Sequence, residues 1–242
     1  MANWSDPQIG STRATATAAG RDVAFDAGLR AHMLSVYNYM ASGVLLTGIV
    51  AYMFAYSGMA QEVFYGAGIL KWVIIFAPLL MVFALSFGIN KMSTAAAQAF
   101  YWAFAVVMGL SMSVIPLIYS GTSIAATFFA TAAAFVSLSL WGYTTKKDLS
   151  AFGTFLIMGV VGLIIAMIAN IFIQSDAMSM VISLIGVLLF AGLTAYDTQK
   201  IKSIYFQVAG SDFVGKAAIL GALTLYLDFI NMFQFLLSFG RD

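Results

Sequence analysis

Residues 92–145 read MSTAAAQAFYWAFAVVMGLSMSVIPLIYSGTSIAATFFATAAAFVSLSLWGYTT, and these 54 residues include no aspartate, glutamate, lysine or arginine. A helix needs roughly 20 mainly apolar residues to cross the ~30 Å hydrocarbon core of a bilayer. The stretch is therefore long enough for two spanning helices, with a turn between them near Pro116 and Gly121. It predicts that the bilayer, and not water, is the solvent for this part of the chain.

Five further apolar stretches are each long enough for one spanning helix. One of them, Ala217 to Gly240, carries Asp228 near its midpoint. The other four lack the same four charged residue types: residues 31–61, 72–90, 149–175 and 177–196. We predict an all-α integral membrane bundle of seven transmembrane helices, because the apolar runs are continuous and do not alternate as barrel strands do. The predicted helices lie at about residues 34–56, 69–90, 95–118, 122–143, 151–173, 177–204 and 217–239.

The composition of the whole chain of 242 residues supports this class. Only 9% of the residues are charged, against ~25% in a typical soluble domain, and the mean hydropathy is +0.95. A soluble monomer is excluded because polar surface is too scarce to cover it. The net charge of +1 argues against a nucleic-acid partner, since no basic stripe is available to bind phosphates.

Cysteine is absent and histidine occurs once, at His32. These counts exclude disulfides and zinc sites built from cysteine and histidine, and we predict no resident cofactor. His32 precedes the first predicted helix, where we expect it to be solvated at the membrane interface.

Basic residues lie mainly on one side of the predicted bundle. Short cytoplasmic loops of membrane proteins carry an excess of lysine and arginine, so this side is predicted to be cytoplasmic. The N-terminus would then be cytoplasmic and the C-terminus would face outward. The opposite side holds Lys71 and Arg241, and the cytoplasmic side holds the other nine: Arg13, Arg21, Arg30, Lys91, Lys146, Lys147, Lys200, Lys202 and Lys216.

The first thirty residues differ in composition from the rest of the chain. They are rich in alanine, threonine, serine and glycine and show no apolar periodicity. This pattern predicts a mobile cytoplasmic tail at residues 1–30, followed by a transmembrane domain at residues 31–242.

Two acidic residues lie in predicted helices, Asp197 in the sixth and Asp228 in the seventh, although an intramembrane charge is costly. Thr224, Asp228 and Asn231 follow each other at helical spacing and share one face. Thr194 and Asp197 share a face of the sixth helix. We expect the two carboxyl groups to meet if the sixth helix continues past the membrane, with Thr194, Thr224 and Asn231 lining the site. The structural alternative is that each acid holds helices together by hydrogen bonds.

Two neighbouring carboxylates in a low dielectric cannot both ionise cheaply, so we expect the pair to share one proton and to sense pH. When both are ionised, they form a hard, oxygen-rich site that suits a calcium-like cation. Asn231 would offer a neutral oxygen nearby. Asp197 and Asp228 are therefore the predicted pH sensor and the candidate calcium ligands.

Three segments resemble signatures of the Bax inhibitor-1 family of membrane proteins, written KKDLS, YDxxxI and LYLDFINxF. They are Lys146-Lys147-Asp148-Leu149-Ser150, Ala195-Tyr196-Asp197-Thr198-Gln199 with Ile201 after it, and Leu225-Tyr226-Leu227-Asp228-Phe229-Ile230-Asn231 with Phe233. The resemblance implies a seven-helix fold with the last helix at the centre, in a bacterial inner membrane. It also implies a pH-sensitive calcium leak in which Asp197 and Asp228 form the gate and calcium is the permeant or bound ion.

A basic latch is a further implication of the resemblance. Some bacterial relatives carry a basic residue at the cytoplasmic end of the second helix that latches onto the aspartate pair. The corresponding place here offers Lys91, which we predict restrains the closed state. Lysine is a point charge, whereas arginine binds a carboxylate through two N–H groups, so we expect the latch to be weak.

The sequence leaves a second function open. The chain could be a non-transporting regulatory protein that binds a membrane-bound ATP-dependent protease or another membrane complex. Such a role is attributed to some relatives, and the predicted tail would suit it. Catalysis is not expected, because the residues before Asp228 lack the GxGD pattern of intramembrane aspartyl proteases. The chain also has no GxSxG elbow for a serine nucleophile. We therefore predict that it is not an enzyme.

Overall fold

The computed structural model describes residues 8–239, with side chains from Ala27 onward. This part of the chain consists of α-helices and their connections, without a strand. A 3₁₀ turn, Ile89–Lys91, extends the third helix. The helices are α1 (Gln8–Tyr56), α2 (Met59–Tyr65), α3 (Leu70–Gly88), α4 (Thr94–Met112), α5 (Ile115–Ile118), α6 (Gly121–Thr144), α7 (Ser150–Ile173), α8 (Asp176–Val208) and α9 (Val214–Phe239).

Seven helical segments of the described residues are long and apolar enough to cross a membrane. The predicted seven-helix membrane bundle is therefore confirmed, with α8 and α9 as the sixth and seventh helices. The observed spans are Ala27–Tyr56, Leu70–Lys91, Thr94–Ile118, Gly121–Thr144, Ser150–Ile173, Asp176–Val208 and Val214–Phe239.

The largest differences from the predicted bounds are at the first and sixth helices. The backbone of residues 8–26 continues α1, and the mobility predicted for residues 1–30 stays a prediction. α8 runs to Val208, beyond the predicted end at residue 204, because Ile201 and Tyr205 are buried and hold its last turns in the bundle. The helix therefore continues beyond its two lysines, Lys200 and Lys202.

Local hydrogen bonds fix the starts of several spanning helices. Ser93 Oγ accepts from the Ala96 N–H at 3.1 Å at the start of α4, and Ser120 Oγ accepts from the Ser123 N–H at 3.2 Å at α6. Ser175 caps α8 in the same way. A side-chain oxygen at this position satisfies a backbone N–H that has no partner within the helix. These caps set where each turn ends and the next span begins.

α9 occupies the centre of the bundle, as the resemblance implied. It packs against α1, α4, α6 and α8, whereas α3 lies mainly against α4 and α7 lies against α8. Its fully buried side chains include Ile219, Leu225, Tyr226 and Met232. The helix that carries Asp228 is thus the spanning helix with the largest buried share among the described residues.

The outer surface of the bundle is apolar. Large apolar side chains of α3 and α7 are exposed, among them Leu80, Phe87, Phe155 and Phe172. Exposed apolar surface of this extent on spanning helices is covered by lipid. The chain is an integral membrane protein in contact with the bilayer. We call the end of the bundle that holds the start of α1, the α6–α7 turn and the end of α8 the lysine-rich end.

The prediction for His32 is wrong. Its side chain is only 4% exposed, and its ring lies 5.2 Å from the ring of Tyr205 on α8. α1 begins well before His32, so the residue lies inside the helical span and packs against the neighbouring helices instead of facing water.

Candidate functional site

The structure brings the two intramembrane carboxyl groups together. Asp197 on α8 is 7% exposed and Asp228 on α9 is 4% exposed. Their side chains lie within hydrogen-bonding reach of each other. Asp228 Oδ2 is buried and has no hydrogen-bond partner. Because an ionised carboxylate only accepts hydrogen bonds, a bond between the two groups requires a proton on one of them.

Close approach of α6 to α8 contributes to the burial of Asp197. Gly142 on α6 lies against the backbone of Ala195, and a Cβ at Gly142 would collide with the Ala195 carbonyl oxygen. Only a residue without a side chain fits here, so α6 covers the turn of α8 that carries Asp197. The adjacent Tyr196 packs against α7.

The polar residues predicted to line the site bond to their own helices. Thr194 Oγ1 donates to the Phe190 carbonyl at 2.8 Å, and Thr224 Oγ1 donates to the Leu220 carbonyl at 3.1 Å. Asn231 Nδ2 donates to the Leu227 carbonyl at 2.8 Å. Thr194 is fully buried, and the other two are half-buried. In this conformation their donors satisfy carbonyls of α8 and α9 and are not directed at the carboxyl pair.

Lys91 lies at the end of α3, in the 3₁₀ turn, and its side chain is exposed. Among the described residues it forms no salt bridge with Asp197 or Asp228, so its role as a latch stays a prediction. The cation that acts electrostatically on both aspartates is Lys200. Lys200 is exposed, and its Nζ lies over the Tyr196 ring at 5.8 Å from the centroid.

The sequence analysis did not single out Lys200, although a signal was present. Lys200 follows Asp197 by three residues, a spacing that places two helical side chains on the same face. The sequence analysis used Lys200 only as one of the basic residues that mark the predicted cytoplasmic side. Lys200 is therefore a candidate in this conformation for a counter-charge to the pair.

A hydrogen-bonded chain of hydroxyl groups connects α1, α6 and α8 beside the site. Thr198 Oγ1 donates to the Thr194 carbonyl at 2.7 Å, so it accepts from Ser139 Oγ at 2.8 Å. Ser139 has one proton and must accept from the Tyr37 hydroxyl at 2.6 Å. The chain thus runs from Tyr37 to the residue that follows Asp197, and it ties the three helices together.

A second chain holds α9 against α1 and α4. Thr47 Oγ1 donates to the Ala105 carbonyl at 2.8 Å, so the Tyr226 hydroxyl donates to Thr47 Oγ1 at 2.6 Å. Tyr226 is fully buried and lies two residues before Asp228. It fixes the rotation of α9 that directs Asp228 toward α8.

No third acidic or histidine side chain joins Asp197 and Asp228 in a metal-binding group within the part of the chain that the structure describes. Calcium takes about six to eight oxygen ligands, and two carboxylates supply only part of such a shell. The two carboxyl groups by themselves therefore do not complete a calcium coordination shell.

Comparison with known proteins now assigns the family. The sequence matches the family described as inhibitor of apoptosis-promoting Bax1 over residues 29–240. The chain belongs to the Bax inhibitor-1 family. The resemblance found in its three signature segments is thereby confirmed.

Similar Bax inhibitor-1 family proteins include the inner membrane protein YbhL of Escherichia coli K12, which is 42% identical over 218 residues, 89% of this chain and 93% of YbhL. A protein of Rickettsia prowazekii is 45% identical over 226 residues, 93% of this chain and 95% of that protein. A protein of Caulobacter vibrioides is 44% identical over 227 residues, 90% of this chain and 91% of that protein. These alignments cover nearly the whole transmembrane domain.

The first Bax inhibitor-1 signature, residues 146–150, forms the turn between α6 and α7. Gln199 holds this turn against α8, since its Nε2 donates to the Lys147 carbonyl at 2.8 Å and its Oε1 accepts from the Leu149 N–H at 2.9 Å. Asp148 Oδ1 accepts from the Ser150 N–H at 2.9 Å. Hydrogen bonding from the Ser150 side chain, and then from its backbone N–H, holds the pKa of Asp148 below its usual value. The signature thus joins the α6–α7 turn to the segment that follows Asp197.

Proposed function

We propose that this protein is a pH-sensitive cation leak in a bacterial inner membrane, with calcium as the ion it passes and with Asp197 and Asp228 as its gate. The observation that carries the proposal is that α8 and α9 bring two buried carboxyl groups within hydrogen-bonding reach, while Asp228 Oδ2 has no partner. The proposal includes no catalytic step and no resident cofactor. It places the lysine-rich end in the cytoplasm and the C-terminus outside.

One shared proton holds the gate closed in this mechanism. A hydrogen bond between the two side chains needs that proton, and its loss at higher pH leaves two like charges side by side in a low dielectric. Their repulsion favours separation of α8 from α9 at this turn. The closed state is therefore favoured at low pH, and the leak rises as the pH rises.

The ionised pair would then attract a divalent cation. Oxygen ligands of high charge suit calcium, and Asn231 lies one turn after Asp228 on the same helix. In this proposal the described conformation is assigned to the closed state, and the burial of both carboxyl groups supports that assignment. Two apolar grooves of about 320 and 370 Å³ lie between α1 and α6, and neither aspartate lines them.

Calcium flux into liposomes tests the proposal. Purified protein is reconstituted, and initial calcium flux is measured with a trapped indicator at several pH values on both sides of neutrality. Wild type should leak more as the pH rises. Asp228→Asn should leak little at every pH, because its amide donates to Asp197 without a titratable proton. Asp197→Asn should lose the pH response in the same way, and the double variant should add nothing further, since a coupled pair titrates as one unit.

The matched control is Asp176→Asn. Asp176 is an exposed acid in the first turn of α8, far from the pair, so its variant should keep the wild-type pH profile. If Asp228→Asn shows that profile as well, the carboxyl pair is not the gate.

The same flux assay distinguishes the leak from the second function, a purely regulatory role. A protein that only binds and modulates a membrane-bound ATP-dependent protease, or another membrane complex, should pass no calcium in liposomes that contain it alone. Absence of flux at every pH would therefore favour that regulatory role over the leak.

A further inference from the structure

His32 is a buried titratable group that the carboxyl pair does not involve. It lies on α1 near the lysine-rich end and is 4% exposed. Neither ring nitrogen has a hydrogen-bond partner among the residues whose side chains the structure describes. Buried polar atoms in native proteins are nearly always paired, so a histidine with two unpaired nitrogens calls for a physical explanation.

The packing around His32 is close and apolar. The Tyr205 ring of α8 lies 5.2 Å away at an interplanar angle of 35°. One helical turn earlier, Gly28 makes room for Tyr205, since a Cβ at this position would collide with the Tyr205 hydroxyl. Neighbouring Leu29 and Met33 on α1 are buried. α1 also packs on α9, whose buried residues in the first two turns are apolar: Ala217, Ala218 and Ile219.

The charged groups named below, on the described parts of these elements, are directed elsewhere. Lys202 on α8 donates to the Tyr143 carbonyl at 3.0 Å, and Lys216 on α9 lies over the Phe213 ring. Asp197 faces Asp228. Arg30 on α1 and Asp212 in the α8–α9 turn are exposed. Among the described residues, no acidic side chain forms a salt bridge with His32.

We propose that His32 is a proton-operated switch that controls how α1 docks on α8 at the lysine-rich end. The docked packing accommodates the neutral ring, because burying an imidazolium without a counter-charge or acceptor is costly. Protonation therefore favours a state in which α1 has moved away from Tyr205 and water reaches the ring. The docked state is favoured at high pH and lost as the pH falls through the range of about 5 to 8 in which imidazole titrates.

This switch has the opposite sign to the proposed gate and does not depend on it. The carboxyl pair separates when it loses a proton, whereas α1 undocks when His32 gains one. The movement of α1 can be measured as a distance, so the test needs no ion flux.

Spin labels test the proposal directly, because the chain has no native cysteine. Ala27→Cys on α1 and Gln207→Cys on α8 place labels at exposed positions on the two helices. Distances are measured by pulsed electron paramagnetic resonance in nanodiscs at about pH 8 and about pH 5. An Asp197→Asn and Asp228→Asn background removes the response of the carboxyl pair. A population with a longer distance should appear at acid pH, and His32→Leu should abolish this shift.

Two controls keep the outcome decisive. His32→Gln keeps a neutral polar side chain that does not titrate, so it should also lose the shift even if His32→Leu folds poorly. Labels at Phe172 and Met180, exposed at the opposite end of the bundle, should keep one distance at both pH values. The proposal is overturned if the parent shows no shift, if either His32 variant retains it, or if the control pair shifts equally.

Discussion

α9 and α7 are both spanning helices, but their surroundings are opposite. In the apolar window of α9, 61% of the residues are buried within the protein, against 11% in α7. α9 carries Thr224, Asp228 and Asn231, whereas no charged residue occurs in α7. The less apolar helix is thus in the centre, and the more apolar helix faces lipid. In a bilayer, the lipid takes up the apolar surface, so the interior is where polar groups find partners.

The comparison also separates two sources of helix stability. α9 is held by side-chain packing with α1, α4, α6 and α8 and by the Tyr226–Thr47 hydrogen bond. α7 packs mainly on α8, and its start is fixed by a local bond from the Ser150 N–H to Asp148 and by one bond from the Leu149 N–H to Gln199 of α8. Substitutions should therefore act through tertiary packing in α9 and through local structure in α7.

The largest difference in stability is expected when one glycine is replaced by leucine, first in α9 and then in α7. A Cβ at Gly221 of α9 would lie 3.1 Å from Ile201 Cγ2, whereas a Cβ at Gly162 of α7 would meet no atom within 4 Å. Gly221→Leu should destabilise the fold by about 1–3 kcal/mol through overpacking. Gly162→Leu should change stability by no more than about 0.5 kcal/mol.

Thermal unfolding of the two variants in detergent measures this difference, and Gly221→Leu should lower the Tm by several degrees. Equal loss of stability in both variants would show that α7 is packed against protein and not against lipid, and the contrast between the two helices would be lost.

A smaller effect is expected from the lysines around the central site. Lys200 acts on both aspartates, so its removal should let the pair keep its proton to a higher pH. Lys200→Gln should therefore shift the pH midpoint of calcium flux upward. The shift should be less than about one unit, because an exposed charge contributes less than about 1 kcal/mol.

Lys91→Gln is the matched variant for the peripheral helix α3. If Lys91 is a latch, this variant should have a higher basal calcium leak, since a restraint on the closed state is removed. If Lys91 is exposed and unpaired with the aspartates, as in the described conformation, the variant should leak at the wild-type rate. Initial calcium flux, measured at one pH and at equal protein density, decides between these two outcomes.

For Lys200→Gln, an unchanged pH midpoint of calcium flux would show that Lys200 does not influence the aspartate pair.

The smallest effect is expected at the start of α7. Asp148 is exposed and accepts from the Ser150 N–H, so Asp148→Ala should speed amide hydrogen exchange in the first turn of α7 only. The pKa of Asp148 is lowered in the folded chain, so its contribution is present at neutral pH. It is lost as the pH falls through this lowered pKa.

Hydrogen exchange measured by mass spectrometry at neutral and acid pH follows this change. Asp176→Ala is the control, because Ser175 caps α8 and exchange there should not change. Faster exchange throughout α9 in Asp148→Ala would contradict a purely local role.

The spans could be predicted from the sequence because hydrocarbon imposes both a length and the absence of charge on every helix that crosses it. The positions of Asp197 and Asp228 on polar faces also followed from helical periodicity. His32 was misjudged because the first helix was taken to begin at residue 34. Its true extent depends on contacts with α8 and α9, which local composition does not report.

The sequence alone determined the solvent of this protein, the number of its spanning helices and the two acids that lie within them, since each of these depends on the cost of placing a charge in hydrocarbon. Only the tertiary structure decided that Asp197 and Asp228 meet, that Lys200 acts on both of them, and that His32 is buried without a hydrogen-bond partner among the described residues. These relations depend on the rotation and stagger of helices that are distant in sequence. Side-chain packing at their contacts fixes both, and it does so only when all the helices are in place.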